Sequence, residues 1–297
     1  MAEIAVELER ALADRRETGA PGRTSPRVIA RGDGWTVADV VCTSGPQDRR
    51  YEEQHARSTI AIVLAGSFQY RSDVGYGLMT PGSLMLGNQG RCFECGHDHG
   101  EGDRCVSFWY DSDYFERLAT DAGVHRSRRR FTVAHLPPLR SSAALVASAA
   151  LGVAASRDLP WDELGIRLAA AAIRLASGAA SAPERLPLNA EARVTQVVRT
   201  IDRYPSARLT LGVLSRQAGL SPYYFLRTFE HVTGVTPHQY VLRARLRQAA
   251  FRLATGAENV LDVALDCGFG DISNFNRSFR AEFAVTPVAF RRNSRSR

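Results

Sequence analysis

The stretch VLDVALDCGFGDISNFNRSFRAEFAVTPVAFR, residues 260–291, decides the fold of the last third of the chain. Val263 and Ala264 belong to an apolar stripe at helical spacing, and Gly268 stands where the chain needs a turn of positive φ. Asp271 is suited to cap a second helix. The side chains that this second helix leaves available to a partner are Ser273, Asn274 and Arg277. The pattern predicts a helix-turn-helix unit.

The same pattern occurs once before, in LTLGVLSRQAGLSPYYFLRTFEHVTGVTP, residues 209–237. Leu211, Leu214 and Ala218 form an apolar stripe at helical spacing. Gly219 suits the turn, and Ser221 is suited to cap the next helix with Pro222 at its first position. The side chains on the other faces of that helix are Tyr223, Tyr224 and Arg227. Between the units, residues 237–256 predict one long, basic, amphipathic helix. Two units at matched spacing are much stronger evidence than one, because single helical hairpins are common core elements.

Basic residues are concentrated in the C-terminal part of the chain. The 297 residues carry a net charge of +7, and residues 184–297 hold 17 arginines against nine acidic residues, a charge of +8. The first 183 residues hold 21 arginines against 22 acidic residues, a charge of −1. A neutral first part joined to a basic last third predicts a C-terminal module that binds a polyanion such as nucleic acid.

The segments from Leu214 to Leu253 and from Val260 to Arg291 closely resemble the DNA-binding domain of the AraC/XylS family of bacterial transcription regulators. The resemblance runs from about residue 192 to residue 292 and includes the GF–D–SNFNRSF core and the terminal TP-x-x-FR. It implies an all-α double helix-turn-helix domain, assigned to residues 191–297. The implied partners are a double-stranded DNA operator and RNA polymerase, and the implied function is that of a regulator rather than an enzyme.

The family's DNA-contacting positions carry over to particular residues of this chain. They are Ser221, Tyr223, Tyr224, Arg227, Ser273, Asn274 and Arg277. Arginine can bind guanine through two hydrogen bonds, and asparagine can bind adenine in the same way. The alternative for each arginine is a phosphate contact, or an ion pair with Glu230 or Glu282.

The first part of the chain has a different pattern. Short segments rich in β-branched and aromatic residues, punctuated by Gly and Pro, predict strands from Arg27 to Tyr110. Two Ala- and Leu-rich segments, residues 139–158 and 160–178, predict helices. Their small residues suit close packing, within the fold or across a homodimer.

Many AraC/XylS regulators join the DNA-binding domain to a cupin-like β-barrel and a helical dimerisation element. The resemblance implies that layout here, and therefore an α+β chain. The sensor and dimerisation domain is assigned to residues 1–178, and a linker to residues 179–190. We therefore expect a DNA-binding transcription regulator that responds to a metal, a thiol-reactive signal or a small ligand.

The segment CFECGHDHGEGDRC, residues 92–105, lies in the expected sensor and is rich in metal ligands. Thiolate and imidazole are the ligands that Zn²⁺ prefers in tetrahedral sites, so we predict a zinc site there. The candidate ligands are Cys92, Cys95, His97, His99 and Cys105, and the spacing of Cys92 and Cys95 predicts a tight chelating turn. We expect the three cysteines and one histidine to bind. The alternatives are reduced thiols that sense oxidants or electrophiles, and thiols that only pack. Cys42 and Cys267 are each interpreted as buried and inert.

The N-terminus lacks the basic start and apolar core of a signal peptide, and no apolar run approaches the roughly 18 residues that span a bilayer. We therefore expect a cytoplasmic protein with reduced thiols and no membrane partner. The competing reading is an enzyme fused to the DNA-binding domain. It would be either a metal-dependent cupin or an alkyl acceptor with a zinc-bound thiolate.

Overall fold

The computed structural model describes residues 2–121, 130–154, 161–178, 188–220 and 222–295. Helix α1, Ala2–Thr18, precedes ten strands. The strands are β1 Thr24–Gly32, β2 Trp35–Cys42, β3 Tyr51–Gln54, β4 Ser58–Gly66, β5 Phe68–Ser72, β6 Gly75–Met79, β7 Leu84–Gly87, β8 Cys92–Gly96, β9 Asp103–Tyr110 and β10 His135–Leu136. The predicted strand-rich segment is therefore confirmed.

The strands form two antiparallel sheets. The larger sheet has the order β1-β2-β9-β4-β7-β10, and the smaller has the order β3-β8-β5-β6. Among the described residues these sheets do not close into one barrel, so the chain has a sheet-rich N-terminal domain but the predicted cupin-like barrel is not confirmed. Strand β4 lies between β9 and β7 and is buried along both faces, which explains its almost uninterrupted apolar sequence.

Two apolar cores fill the N-terminal domain, one on each face of the larger sheet. On the outer face, Ile60 and Phe108 pack against helix residues such as Leu168. Between the sheets, Val63 and Tyr70 belong to a second, smaller core. Neighbouring residues of a strand point to opposite faces, so one strand supplies both cores.

Four further described helices of the N-terminal domain join α1 in covering the larger sheet. They are α2 Ser112–Asp121, a short 3-10 helix Arg140–Ser142, α3 Ala143–Ala154 and α4 Trp161–Gly178. Both helices predicted from the Ala- and Leu-rich segments are confirmed, α3 being shorter than its segment. No helix within the described ranges is long and apolar enough to span a membrane.

The C-terminal part is entirely helical in its described residues. Its helices are α5 Leu188–Arg203, α6 Leu211–Gln217, α7 Pro222–Thr233, α8 Pro237–Thr255, α9 Val260–Asp266, α10 Ile272–Phe283 and α11 Pro287–Arg295. Helix α8 separates the pair α6–α7 from the pair α9–α10, as the sequence predicts. Helix α5 begins inside the predicted linker, whose residues 179–187 lie outside the described residues.

The C-terminal helices pack against the N-terminal domain. Ala143 and Ala147 of α3 belong to the same core as Leu246 of α8 and the aromatic residues of α10. On α5, Arg199 donates hydrogen bonds to Ser67 Oγ at 3.4 Å and to the backbone oxygen of Glu101 at 3.2 Å. These contacts place the loop before β9 directly against the helical part.

Candidate nucleic-acid interface and sensor cavity

The second helix-turn-helix pair is held by its caps and its turn. Asn259 accepts a hydrogen bond from the backbone nitrogen of Asp262 at 2.8 Å, and Asp271 accepts one from that of Asn274 at 2.7 Å. The predicted cap at Asp271 is thus confirmed. Gly268 has a φ of 85°, and a Cβ there would lie 2.8 Å from the backbone oxygen of Ser206, so the turn requires glycine.

Helix α10 turns one face inward and one face to solvent. Phe275 and Phe279 are fully buried, which fixes the rotation of the helix about its axis. The outward face carries four exposed polar side chains, Ser273, Asn276, Arg277 and Arg280. They recur at positions i, i+3, i+4 and i+7, the spacing of one helical face.

Asn274 does not share the full exposure of that face. It is half-buried, and its Oδ1 accepts a hydrogen bond from Arg277 Nη2 at 3.3 Å. Asn274 therefore orients the Arg277 guanidinium through its amide oxygen. Glu282 pairs with Arg243 at 3.5 Å, so the alternative pairing of Glu282 with Arg277 is not the one observed.

Sequence reasoning missed Asn276 and Arg280 on this exposed face. Both follow Ser273 at helical spacing, and that periodicity was the available signal. Arg280 and Arg277 also line a surface groove with Asn276 and with Val288 at the start of α11.

The first helix-turn-helix pair has the same construction. Thr210 caps α6 by accepting a hydrogen bond from the backbone nitrogen of Val213 at 3.3 Å, and Phe225 and Phe229 of α7 are fully buried. Leu214 is buried as well, but Leu211, predicted to share its stripe, is 39% exposed. Tyr223, Tyr224 and Arg227 lie on α7, and the predicted cap Ser221 lies outside the described residues. The predicted roles of these four residues stay predictions.

The two helix pairs are joined by Arg245 of α8. Its guanidinium donates to the backbone oxygens of Pro205 at 2.8 Å, Ala207 at 2.9 Å and Gly268 at 2.8 Å. The first two oxygens precede α6, and the third lies in the α9–α10 turn. One side chain therefore fixes the position of one pair relative to the other.

Comparison with known proteins identifies this arrangement. A sequence model of the helix-turn-helix domain matches residues 214–293. The regulatory protein SoxS of Salmonella typhimurium is 33% identical over 98 residues, which are 33% of this chain and 92% of SoxS. The chain belongs to the AraC/XylS family. The similarity lies in the last third of the chain. The relatives that share it are DNA-binding transcription regulators and not enzymes.

Two further similarities involve about a third of this AraC/XylS chain. The transposon Tn10 TetD protein of Escherichia coli is 35% identical over 100 residues, which are 34% of this chain and 72% of TetD. The crystal structure of the DNA-binding domain of AdpA, a global transcriptional factor in complex with a target DNA, is 28% identical, with a TM-score of 0.34. It covers 35% of this chain and 94% of the AdpA domain.

A cavity of about 580 Å³ opens between the two sheets of this AraC/XylS protein. Its walls combine aromatic side chains such as Phe93 and Trp109 with the charged groups Arg31, Glu53 and Arg57. Three cysteines also line it, namely Cys42, Cys95 and Cys105. A cavity of this size and mixed polarity can hold a small molecule.

A compact group of metal-ligand atoms borders this cavity. One ligand atom from each of Cys42, His97 and Asp103 lies within 4.8 Å of the other two, and all three residues are buried. His97 Nε2 and Asp103 Oδ1 are 2.7 Å apart, and Cys105 Sγ donates to Asp103 Oδ2 at 3.3 Å. We call Cys42, His97, Asp103 and Cys105 the thiol–carboxylate cluster.

The sheet register explains why these residues meet. Cys42 of β2 is directly opposite Asp103 of β9. Cys105 follows Asp103 by two residues, so both side chains point to the same face of β9. His97 comes immediately after β8 of the smaller sheet and completes the cluster from the other side.

Only part of the predicted zinc-ligand set meets in this cluster. His97 and Cys105 belong to it, whereas Cys92 is exposed and Cys95 and His99 are half-buried. Cys92 and Cys95 were expected to form a chelating turn, but both lie on strand β8, where residues three apart point to opposite faces. Within the described residues, the compact group of three or more ligands is the one containing Cys42, which was interpreted as inert.

Burial and charge control the protonation of the cluster. Burial raises the pKa of the Cys105 thiol well above its usual range, and the nearby Asp103 carboxylate raises it further. Burial and the Asp103 carboxylate likewise raise the pKa of the Cys95 thiol well above its usual range. For His97, burial lowers the pKa, but the combined interactions with Asp103 and Cys42 outweigh burial and raise the pKa to about 10. Without a metal the two thiols are protonated, and the protonated form is the less reactive one.

Proposed function

We propose that the chain is a sequence-specific transcription regulator that reads DNA through α7 and α10. The main support is the exposed face of α10, which presents Ser273, Asn276, Arg277 and Arg280 together. Buried aromatic residues on the opposite face fix the rotation of this helix. Second helices of helix-turn-helix units enter the major groove of DNA, and arginine and asparagine are the side chains that read guanine and adenine there.

The proposal gives separate roles to neighbouring residues of α10. Arg277 reads a base, and Asn274 orients it through the 3.3 Å hydrogen bond. Arg280 lies one turn further along the helix and is assigned to the phosphate backbone, since phosphate contacts position the protein without reading sequence. On α7, the equivalent roles are proposed for Tyr223, Tyr224 and Arg227.

The N-terminal domain is proposed to sense the signal. The cavity between the sheets offers the space. The packing of α3 against the C-terminal helices and the contact of Arg199 on α5 with the backbone oxygen of Glu101 offer a physical connection to the DNA-binding part. A second copy of the chain and RNA polymerase are proposed as further partners, on the strength of the family resemblance. The alkyl-acceptor alternative requires an exposed metal-bound thiolate, and the exposed Cys92 stands apart from the thiol–carboxylate cluster.

The test begins with selection of binding sites from random double-stranded DNA by the full chain. On a selected site, Arg277→Ala is expected to weaken binding by about 1–3 kcal/mol and to relax discrimination at one base position. Arg280→Ala is expected to weaken binding to all sequences similarly and to reduce the salt dependence by about one phosphate contact. Arg174→Ala, an exposed arginine on α4, is the control and should change neither quantity.

Two results would contradict the proposal. One is the absence of any enriched sequence after selection, which would remove the sequence specificity. The other is unchanged affinity and discrimination for both Arg227→Ala and Arg277→Ala, which would remove the assignment of α7 and α10 as the reading helices.

A further inference from the structure

We propose that the thiol–carboxylate cluster is a Zn²⁺ site, with Cys42, His97, Asp103 and Cys105 as its ligands, and that it controls the loop on which Arg199 rests. The first part depends only on the geometry of the four residues. The second part rests on the proposed function, because it concerns regulation of DNA binding.

The donor set fits zinc. Two thiolates, one imidazole and one carboxylate give four ligands of the types found in tetrahedral zinc sites. Bonds of about 2.0–2.3 Å place tetrahedral ligands roughly 3.3–3.8 Å apart. The ligand atoms of Cys42, His97 and Asp103 already lie within 4.8 Å of one another, and Cys105 Sγ lies 3.3 Å from Asp103 Oδ2, so three ligands are gathered and the fourth adjoins them.

The hydrogen bonds of the cluster join the same atoms that would bind a metal. The contact between His97 Nε2 and Asp103 Oδ1 holds a proton between the two groups, and Cys105 donates its thiol proton to the same carboxylate. Zinc binding uses the thiolate forms of the cysteine ligands and displaces the proton shared by His97 and Asp103, and the protons released go to solvent. Thr24 Oγ1 donates to Cys42 Sγ at 3.6 Å and would continue to orient that ligand.

The position of the cluster also gives it access. Cys42, Asp103 and Cys105 line the cavity between the sheets, so an ion can enter from the cavity without unfolding the sheet. All four residues are buried, which limits the number of waters that compete for the ion.

The chain between two of the ligands is the segment that contacts the DNA-binding part. His97 and Asp103 bound a short loop that contains Gly100 and Glu101. Arg199 of α5 donates to the backbone oxygen of Glu101, and its guanidinium lies so close to Gly100 that a Cβ there would overlap it. A metal that fixes both ends of this loop therefore fixes the surface that Arg199 contacts.

The first experiment measures metal binding alone, on tag-free, reduced full-length protein stripped with a chelator. Zn²⁺ is titrated in competition with a chromophoric chelator, and Co²⁺ is used as a spectroscopic substitute. We expect one ion per chain and a cobalt spectrum with the charge-transfer absorption of two thiolates. Cys42→Ser and Cys105→Ser should each weaken zinc binding at least ~10-fold, because each removes one of four ligands. Cys92→Ser is the matched control and should bind zinc like the wild type.

Each outcome has a fixed meaning. Loss of zinc in Cys92→Ser with retention in Cys42→Ser would overturn the proposed ligand set in favour of the one predicted from sequence alone. Absence of stoichiometric zinc in the folded wild type would overturn the site altogether. The variants Cys42→Ser and Cys105→Ser alter buried residues and could fail to fold. The cobalt spectrum of the wild type then tests the proposal, because a spectrum that indicates zero, one or three thiolate ligands instead of two contradicts it.

The second experiment measures the effect of zinc on binding to a selected DNA site. We expect zinc to change the affinity of the wild type by about 5–150-fold, the usual range for coupled sites. Arg199→Ala should bind zinc normally and lose this effect, and Gly100→Ala should behave in the same way. If the zinc-loaded and the metal-free protein bind DNA with the same affinity, the proposed regulation by zinc is wrong, while the proposed metal site stands. A protein that binds zinc but selects no DNA would instead contradict the proposed function.

Discussion

Arg245 offers the most direct test of how the two helix-turn-helix pairs are held together. Its guanidinium donates three hydrogen bonds of 2.8–2.9 Å to backbone oxygens of two separate turns. Hydrogen bonds to a charged group contribute about 1.5–3 kcal/mol each, but the exposed turns regain water when the side chain is removed. The three bonds would sum to about 4.5–9 kcal/mol, and because water replaces part of each, we expect Arg245→Ala to lower the free energy of unfolding of the C-terminal part by about 3 kcal/mol, below that sum.

The measurement is urea unfolding of the full chain beside two comparison variants. Arg252→Ala is the matched control, because Arg252 lies on the same helix two turns later. It pairs with Glu258 and Asp266, whose side chains are both exposed to solvent. Such pairs contribute only about 0–1 kcal/mol. Arg245→Lys keeps the charge but lacks the planar fork that reaches three oxygens, so it should lose most of the same stability. Equal losses for Arg245→Ala and Arg252→Ala would refute the reasoning.

Two further predictions concern the N-terminal domain. Burial lowers the pKa of His55 and of His135 to about 4, so the unfolded chain binds more protons than the folded one below the usual histidine value. The free energy of unfolding should therefore fall as the pH drops from about 6.5 to 4, by up to roughly 3 kcal/mol per histidine. A urea midpoint that stays constant over this pH range would contradict the prediction. For the predicted homodimer through residues 139–177, the most accessible large apolar side chain among the described residues of that range is Ile166 on α4, which is 43% exposed. Ile166→Glu should shift sedimentation at tens of micromolar towards the monomer, and a wild type that is already monomeric there would end the idea.

The helical third could be predicted from sequence because its signals are local. The cap at Asp271, the glycine of the turn and the spacing of Phe275 and Phe279 all lie within a dozen residues of one another. Each one favours the same helix boundaries, and the structure has those boundaries. Leu211 departs from the expected stripe because a position in the first turn of α6 lies at the edge of the core.

The thiol–carboxylate cluster could not be predicted because its signals are distant in sequence. Cys42 is more than 50 residues from His97, and only the pairing of β2 with β9 places it opposite Asp103. The spacing of Cys92 and Cys95 suggested a chelating turn, but the segment instead forms the middle of a sheet, between β3 and β5. Strand pairing decides such sites, and a single sequence shows no register.

The alanines of α3 have a consequence for the evolution of this chain. Relatives that match only its last third show that the DNA-binding module exists in other contexts, yet here Ala143 and Ala147 complete the module's own core. A module transplanted without α3 would expose the side of Leu246 and its neighbours that these alanines cover. Because the covering side chains are methyl groups, the apolar surface that the module must adapt to become independent lies beside them on α8. When regulators of this kind exchange sensor domains, the first residues that must change are then those on the surface of α8 that contacts α3. The helices that face DNA can stay unchanged.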